Sequence, residues 1–140
     1  MAIIKKTITK VTYIKEEYNS GLISLEEAKA KRIADIKAET YKIVTKYMPE
    51  WKQISYNKFL TLYERVQNNE TLSGIDQAFY NNFPDKGETH QEFYNKCVSA
   101  IGWILTCIQN NDNSEGLVLA SNNIDELVNV PDPVYPAWPI

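Results

Sequence analysis

The sequence predicts a mainly α fold: a small helical bundle with an extended N-terminal arm and a Pro-rich extended C-terminal arm. Three observations carry this. Apolar residues recur at helical spacing over much of the chain. Two Ser/Thr capping boxes mark helix starts. Four of the six prolines fall in the last ten residues, where no helix can form. The chain divides accordingly into residues 1–20 (an arm, extended or partly helical), residues 21–110 (a helical domain) and residues 111–140 (a linker and the Pro-rich arm).

The first segment reads two ways. Ile4, Ile8, Val11 and Tyr18 fit a helical stripe, yet the run Thr7 to Ile14 is rich in β-branched residues that favour strands. Asn19-Ser20-Gly21 then punctuates the chain. Ser24-Leu25-Glu26-Glu27 is a capping box, with Ile23 and Ala28 placed for a hydrophobic staple. Beyond it Ile33, Ile36, Thr40, Ile43 and Tyr47 form a heptad-like seam. Pro49 breaks that helix and opens the next, because proline suits a first turn and disfavours α geometry at Met48. The next helix carries Trp51, Ile54, Phe59, Leu62 and Val66 on one face and Tyr56, Leu60 and Tyr63 on a second. It should end near Asn68-Asn69.

Gly74 to Tyr80 reads as a short helix, and Phe83 to Gly87 as a turn. Thr89-His90-Gln91-Glu92 is a second capping box. Phe93, Cys97, Ile101, Ile104 and Ile108 follow at helical spacing in the most apolar helix. Trp51, Ile54, Ile101 and Ile104 are the expected structural core. Asn110 to Gly116 reads as a polar linker, and Leu117 to Ala120 as a brief apolar run. In the last ten residues Pro133, Tyr135, Pro136 and Trp138 form a stiff ribbon with two large anchors, the expected partner-binding residues. The groove that receives them is in the same chain, a sister subunit or another protein; reach through the two Asn-rich stretches favours an intermolecular one.

Composition narrows function by exclusion. A chain of 140 residues with 44% hydrophobic and 24% charged residues suits one soluble domain. Two cysteines cannot build a disulfide scaffold or a four-thiolate zinc site. The five glycines are scattered, which rules out a Gly-rich phosphate cradle. The single histidine, His90, lies seven residues from Cys97, a rise of about 10.5 Å along a helix, too far for a shared metal ion. His90 reads as an exposed first-turn residue, and Cys97 and Cys107 as buried structural residues. Glu88 and Glu92 could face each other with Asp85 nearby, but a helix N-terminus stabilises carboxylates without any catalytic role. The expectation is a non-enzymatic chain with no catalytic residue, no cofactor and no metal. The longest largely apolar stretch, Val98 to Ile108, is too short for a bilayer.

Charge is uneven along the chain. Residues 1–60 carry twelve Lys/Arg against seven Asp/Glu, and residues 61–140 carry three against eleven. Lys5, Lys6, Lys10, Lys29, Lys31 and Arg32 could meet nucleic acid, but interleaved glutamates favour a solvated helix surface. The nine tyrosines and three tryptophans exceed what a small core needs, and both types are enriched at interfaces.

The segment Tyr47-Met48-Pro49-Glu50-Trp51-Lys52-Gln53, a helix that breaks at P-E-W-K-Q and resumes, resembles a helical module of bacteriophage tail and tail-fibre-associated proteins. The likeness spans roughly residues 25–110. It implies that Ile33 and Ile36 lie on the preceding helix and that Trp51 anchors the core. It also implies a virion structural subunit of the tail, made in the host cytoplasm. Such a subunit would assemble with other tail proteins or with its own copies, without a small-molecule substrate, membrane or nucleic acid. The Pro-rich end with Trp138 is similar to the C-termini of some tail-fibre assembly proteins. A tail-fibre assembly chaperone absent from the mature particle and a small helical nucleic-acid-binding regulator are the alternatives.

Overall fold

A computed structural model describes residues 10–140, and within them the chain is mainly α, as a small helical bundle. The helices are α1 (Lys10–Asn19), α2 (Leu25–Tyr47), α3 (Glu50–Gln67), α4 (Gly74–Asn82), α5 (His90–Leu119) and α6 (Ile124–Val128).

Helix α1 settles the ambiguity of the first segment from residue 10 onward in favour of helix; residues 1–9 lie outside the described residues. Ile14 is buried, with Val11 and Tyr18 half-buried on the same stripe. Gly21, at φ 80°, ends the helix, with Gly21 N–H on the Tyr18 carbonyl and Leu22 N–H on that of Glu17. That is the Schellman pattern, whose positive φ glycine adopts without Cβ strain. At the start of α2 the capping box forms in both directions. Glu27 N–H donates to Ser24 Oγ (3.1 Å) and Ser24 N–H to Glu27 Oε1 (3.2 Å).

Pro49 is the cap residue between α2 and α3, at φ −53° and ψ 153°, and Glu50 is the first helical residue of α3. The corner is where the sequence puts it, but its core anchor is not. Trp51 and Ile54 are 69% and 71% exposed. The reason is geometric. At about 100° per residue the buried Tyr56, Phe59 and Leu62 lie on one side and Ile54 points away from them, while Trp51, about 20° from Leu62 in angle, sits in the first turn, about three turns below it. The aromatic set took the buried face.

A second correction concerns 110–116, which is helix rather than linker. Phe93, Cys97, Ala100, Ile104, Cys107, Asn111, Ser114, Val118 and Ser121 are all buried. Their spacing alternates four and three without a break, the last one following the end of α5. Asn111 and Ser114 occupy seam positions, so the periodicity continues through residues that look like a linker. Of the expected core on this helix, Ile104 is buried, Ile101 is half-buried, and Ile108 turns outward.

The chain forms two compact units. One takes the chain up to Ile43 with Cys107–Tyr135; the other takes Val44–Thr106 with Pro136–Ile140. In the first, Ile14, Ala28, Ile36, Val118, Ile124 and Leu127 make an aliphatic cluster, with Ile23 packed against it. In the second, Phe59 is fully buried and meets Tyr80 (5.3 Å between ring centres), Phe83 (5.3 Å) and Phe93 (4.7 Å). Burial of one such ring contributes about 1.5–3 kcal/mol.

Candidate functional site

The Pro-rich end has neither helix nor strand, as expected. Proline lacks an N–H, so the ribbon's carbonyls are what it offers for hydrogen bonding. In the first unit Arg32 Nη2 donates to the Val130 carbonyl (3.2 Å) and to Asp132 Oδ1 (2.7 Å), and Asn110 Nδ2 donates to the Val134 carbonyl (2.7 Å). Pro133 is buried. Thr40 Oγ1 donates to Asn111 Oδ1 at 2.6 Å. Its hydrogen is thereby spent, so the Tyr135 hydroxyl, 2.8 Å away, donates to Thr40. Burial pushes the Tyr135 phenol up from its ordinary value. In the second unit Trp103 Nε1 donates to the Pro136 carbonyl at 2.7 Å. Trp138 stacks on Tyr47 with ring centres 5.3 Å apart and meets Trp103 edge-on at 5.0 Å.

Pro133, Tyr135, Pro136 and Trp138 are therefore engaged by their own chain. Of the three grooves the sequence left open, the structure shows the contacts within this chain. What sequence reading missed is the receiving set: Arg32, Thr40, Asn110 and Asn111. For Arg32, Thr40 and Asn111 the available signal was their place on buried helical stripes; Asn110 lies off the stripe and gave none. Polar residues at core positions are buried only with partners, and here the partners come from the ribbon and its neighbours.

The other sequence-level candidates are spent on structure. His90 is half-buried, not exposed. It stacks on Tyr80 at 4.2 Å, and its Nε2 is buried without a hydrogen-bond partner. Cys97 and Cys107 are free and buried, and burial pushes the Cys97 thiol up to about 12. Glu88 pairs with Lys96 (2.8 Å), and so does Asp85 (3.0 Å), while Glu92 stays exposed, so Glu88 and Glu92 form no dyad. Hydrogen bonds to Glu88 and Asp85 hold the Lys96 ammonium above its ordinary range. Among the described residues no group of three His, Cys, Asp or Glu is placed to hold a metal ion. None of their helices is long and apolar enough to cross a membrane.

Of the basic set, Lys5 and Lys6 lie outside the described residues. Lys10 faces Asp35 (3.8 Å), Lys29 reaches the Leu119 carbonyl (3.0 Å) and Lys31 meets Glu17 (2.6 Å). Arg32 is buried, so it cannot join a surface patch.

Several large apolar side chains are exposed as well. Besides Trp51 and Ile54 on α3, Val98 and Leu105 on α5 are 47% and 61% exposed. No charged residue lies between Lys96 and Asp112, so that stretch of α5 meets solvent with uncharged side chains only. Comparison with protein-family models, with curated proteins and with solved structures gives no match for this chain.

Proposed function

We propose that the chain is a non-enzymatic assembly subunit that joins other proteins through exposed apolar and aromatic side chains, and that its setting is the tail of a bacteriophage particle. The observation that carries the reading is the exposure of Trp51 and Ile54 next to the Pro49 corner. Large apolar groups clustered on a surface favour association, because their burial removes apolar area from water. The charge-free outer face of α5 supports the same reading, since association there strands no ion. The resemblance of Tyr47 to Gln53 to phage tail modules supports the setting. With Tyr135 and Trp138 engaged by their own chain, the assembling surface moves from the C-terminal ribbon to these helical positions.

The test is sedimentation velocity of the full chain at micromolar concentration, alone and with tail proteins expressed from the neighbouring genes. The parent should sediment as an oligomer or a complex. A double variant, Trp51→Ser with Ile54→Ser, should keep its melting temperature and lose the association. A parent that stays monomeric with every such protein overturns the reading. Mass spectrometry of purified particles then separates a retained subunit from an assembly chaperone.

A further inference from the structure

We propose that the cavity beside Arg32, in the first unit, binds a small aliphatic carboxylate. The cavity measures about 520 Å³, within the range of small-molecule sites. Its walls come from α1, from Arg32 on α2 and from the turn that follows α6. Val11, Val128, Val130 and Pro131 supply an apolar surface, and Lys15, Arg32 and Asn129 supply donors.

Arg32 is the chemical centre. Its side chain is 5% exposed, while that of its one ionic partner, Asp132, is 81% exposed. The guanidinium gives both of its hydrogen bonds from Nη2, to Val130 and Asp132. Its Nε is buried without an acceptor. A buried N–H left unpaired is costly, and with both Nη2 hydrogens given to Val130 and Asp132 a ligand carboxylate binds the guanidinium by taking the place of the exposed Asp132 carboxylate or at the remaining N–H groups. Lys15 adds a second cation. Its pairing with Asp125 (3.2 Å) is a surface contact, with both side chains well exposed, so it gives way at little cost. The lining thus holds two cations against the single carboxylate of Asp132.

The other side of Arg32 shows the contrast. A cavity of about 330 Å³ there is bordered by Lys10 and Arg32, but also by Asp35, Glu39 and Asp132. Carboxylates outnumber cations in it, so an anion is repelled. The larger cavity is the one with surplus positive charge and an apolar wall. That combination selects a carboxylate with a hydrocarbon body over a bare inorganic anion, which would leave the valines unused. The site is independent of the assembly reading, since none of its residues belongs to the exposed set on α3 or α5.

The experiment is calorimetric titration of the full chain with octanoate, 1-octanol and octylamine at fixed ionic strength. Octanoate should bind at a single site, and the alcohol and the amine at least about tenfold more weakly, the step one lost ionic contact produces. Lys15→Gln should weaken octanoate by about threefold or more, as expected for a partly exposed ion pair. Asn129→Asp, which adds a carboxylate to the lining, should weaken octanoate and leave the alcohol unchanged. Both positions are at the surface of the unit, so folding survives, and a melting curve for each confirms it. Equal binding of octanoate and 1-octanol overturns the proposal, as does octanoate binding that neither variant changes. No octanoate binding at millimolar concentration also overturns it.

Discussion

The two units solve burial differently. The second is built on rings: Tyr56, Phe59, Tyr80, Phe83, His90 and Phe93 meet face to face or edge to face. The first combines short aliphatic side chains with buried polar ones, Arg32, Thr40, Asn111, Ser114 and Ser121. Lys37 extends the polar set outward through Glu115 (3.4 Å), which in turn accepts a hydrogen bond from Asn111. Rings stabilise by area and tolerate small displacements. Buried polar groups add little net stability when paired and cost much when unpaired, so they specify register. Stability in the second unit should therefore respond to lost volume, and in the first to lost partners.

The largest expected effect tests the aromatic unit. Phe59→Ala empties the centre of the ring cluster and should cost about 3–5 kcal/mol, read as a drop in denaturant midpoint. A cost near that of a surface change would mean the rings are not the core of that unit. Next, Thr40→Val keeps volume but leaves Asn111 Oδ1 and the Tyr135 hydroxyl each short of a partner. It should cost about 1–3 kcal/mol in a thermal melt. Adding Tyr135→Phe should restore part of that loss, because the stranded donor is gone. Strict additivity of the two changes would show that they do not share a network.

A third test uses pH. Burial raises the Cys97 thiol from about 9 to about 12 in the folded chain, so the native state holds its proton more tightly than the unfolded one. The stability tied to that thiol is complete below pH 9 and is lost as pH rises toward 12. Cys97→Ala should flatten the alkaline fall in melting temperature. An unchanged slope would place the thiol outside the cooperative core. The smallest effect is expected at Trp51→Ala, within about 0.5 kcal/mol of the parent, because its ring lies in solvent. A loss of several kcal/mol there would restore the tryptophan as a core anchor and break the contrast.

Local signals settled much of this protein in the sequence itself. Ser24 with Glu27, Pro49 and the Thr89 box place helix starts, because caps and prolines act through nearest-neighbour geometry. The four C-terminal prolines exclude helix for the same local reason. Which face of a helix is buried is another matter. The choice between Trp51 with Ile54 and Tyr56 with Phe59 depends on where Tyr80, Phe83 and Phe93 arrive, which are remote in sequence. Asn111 and Ser114 look like linker residues until Thr40 and the Pro131 carbonyl come within reach, at 2.6 and 3.5 Å. The seat of Tyr135 and Trp138 was equally beyond sequence reading, since a stiff ribbon docks wherever donors meet its carbonyls. Tertiary structure supplied those donors from helices 24 to 100 residues away along the chain, Trp103, Asn110 and Arg32 among them. Local chemistry sets where helices start and stop; burial of polar side chains is decided only when distant partners close around them.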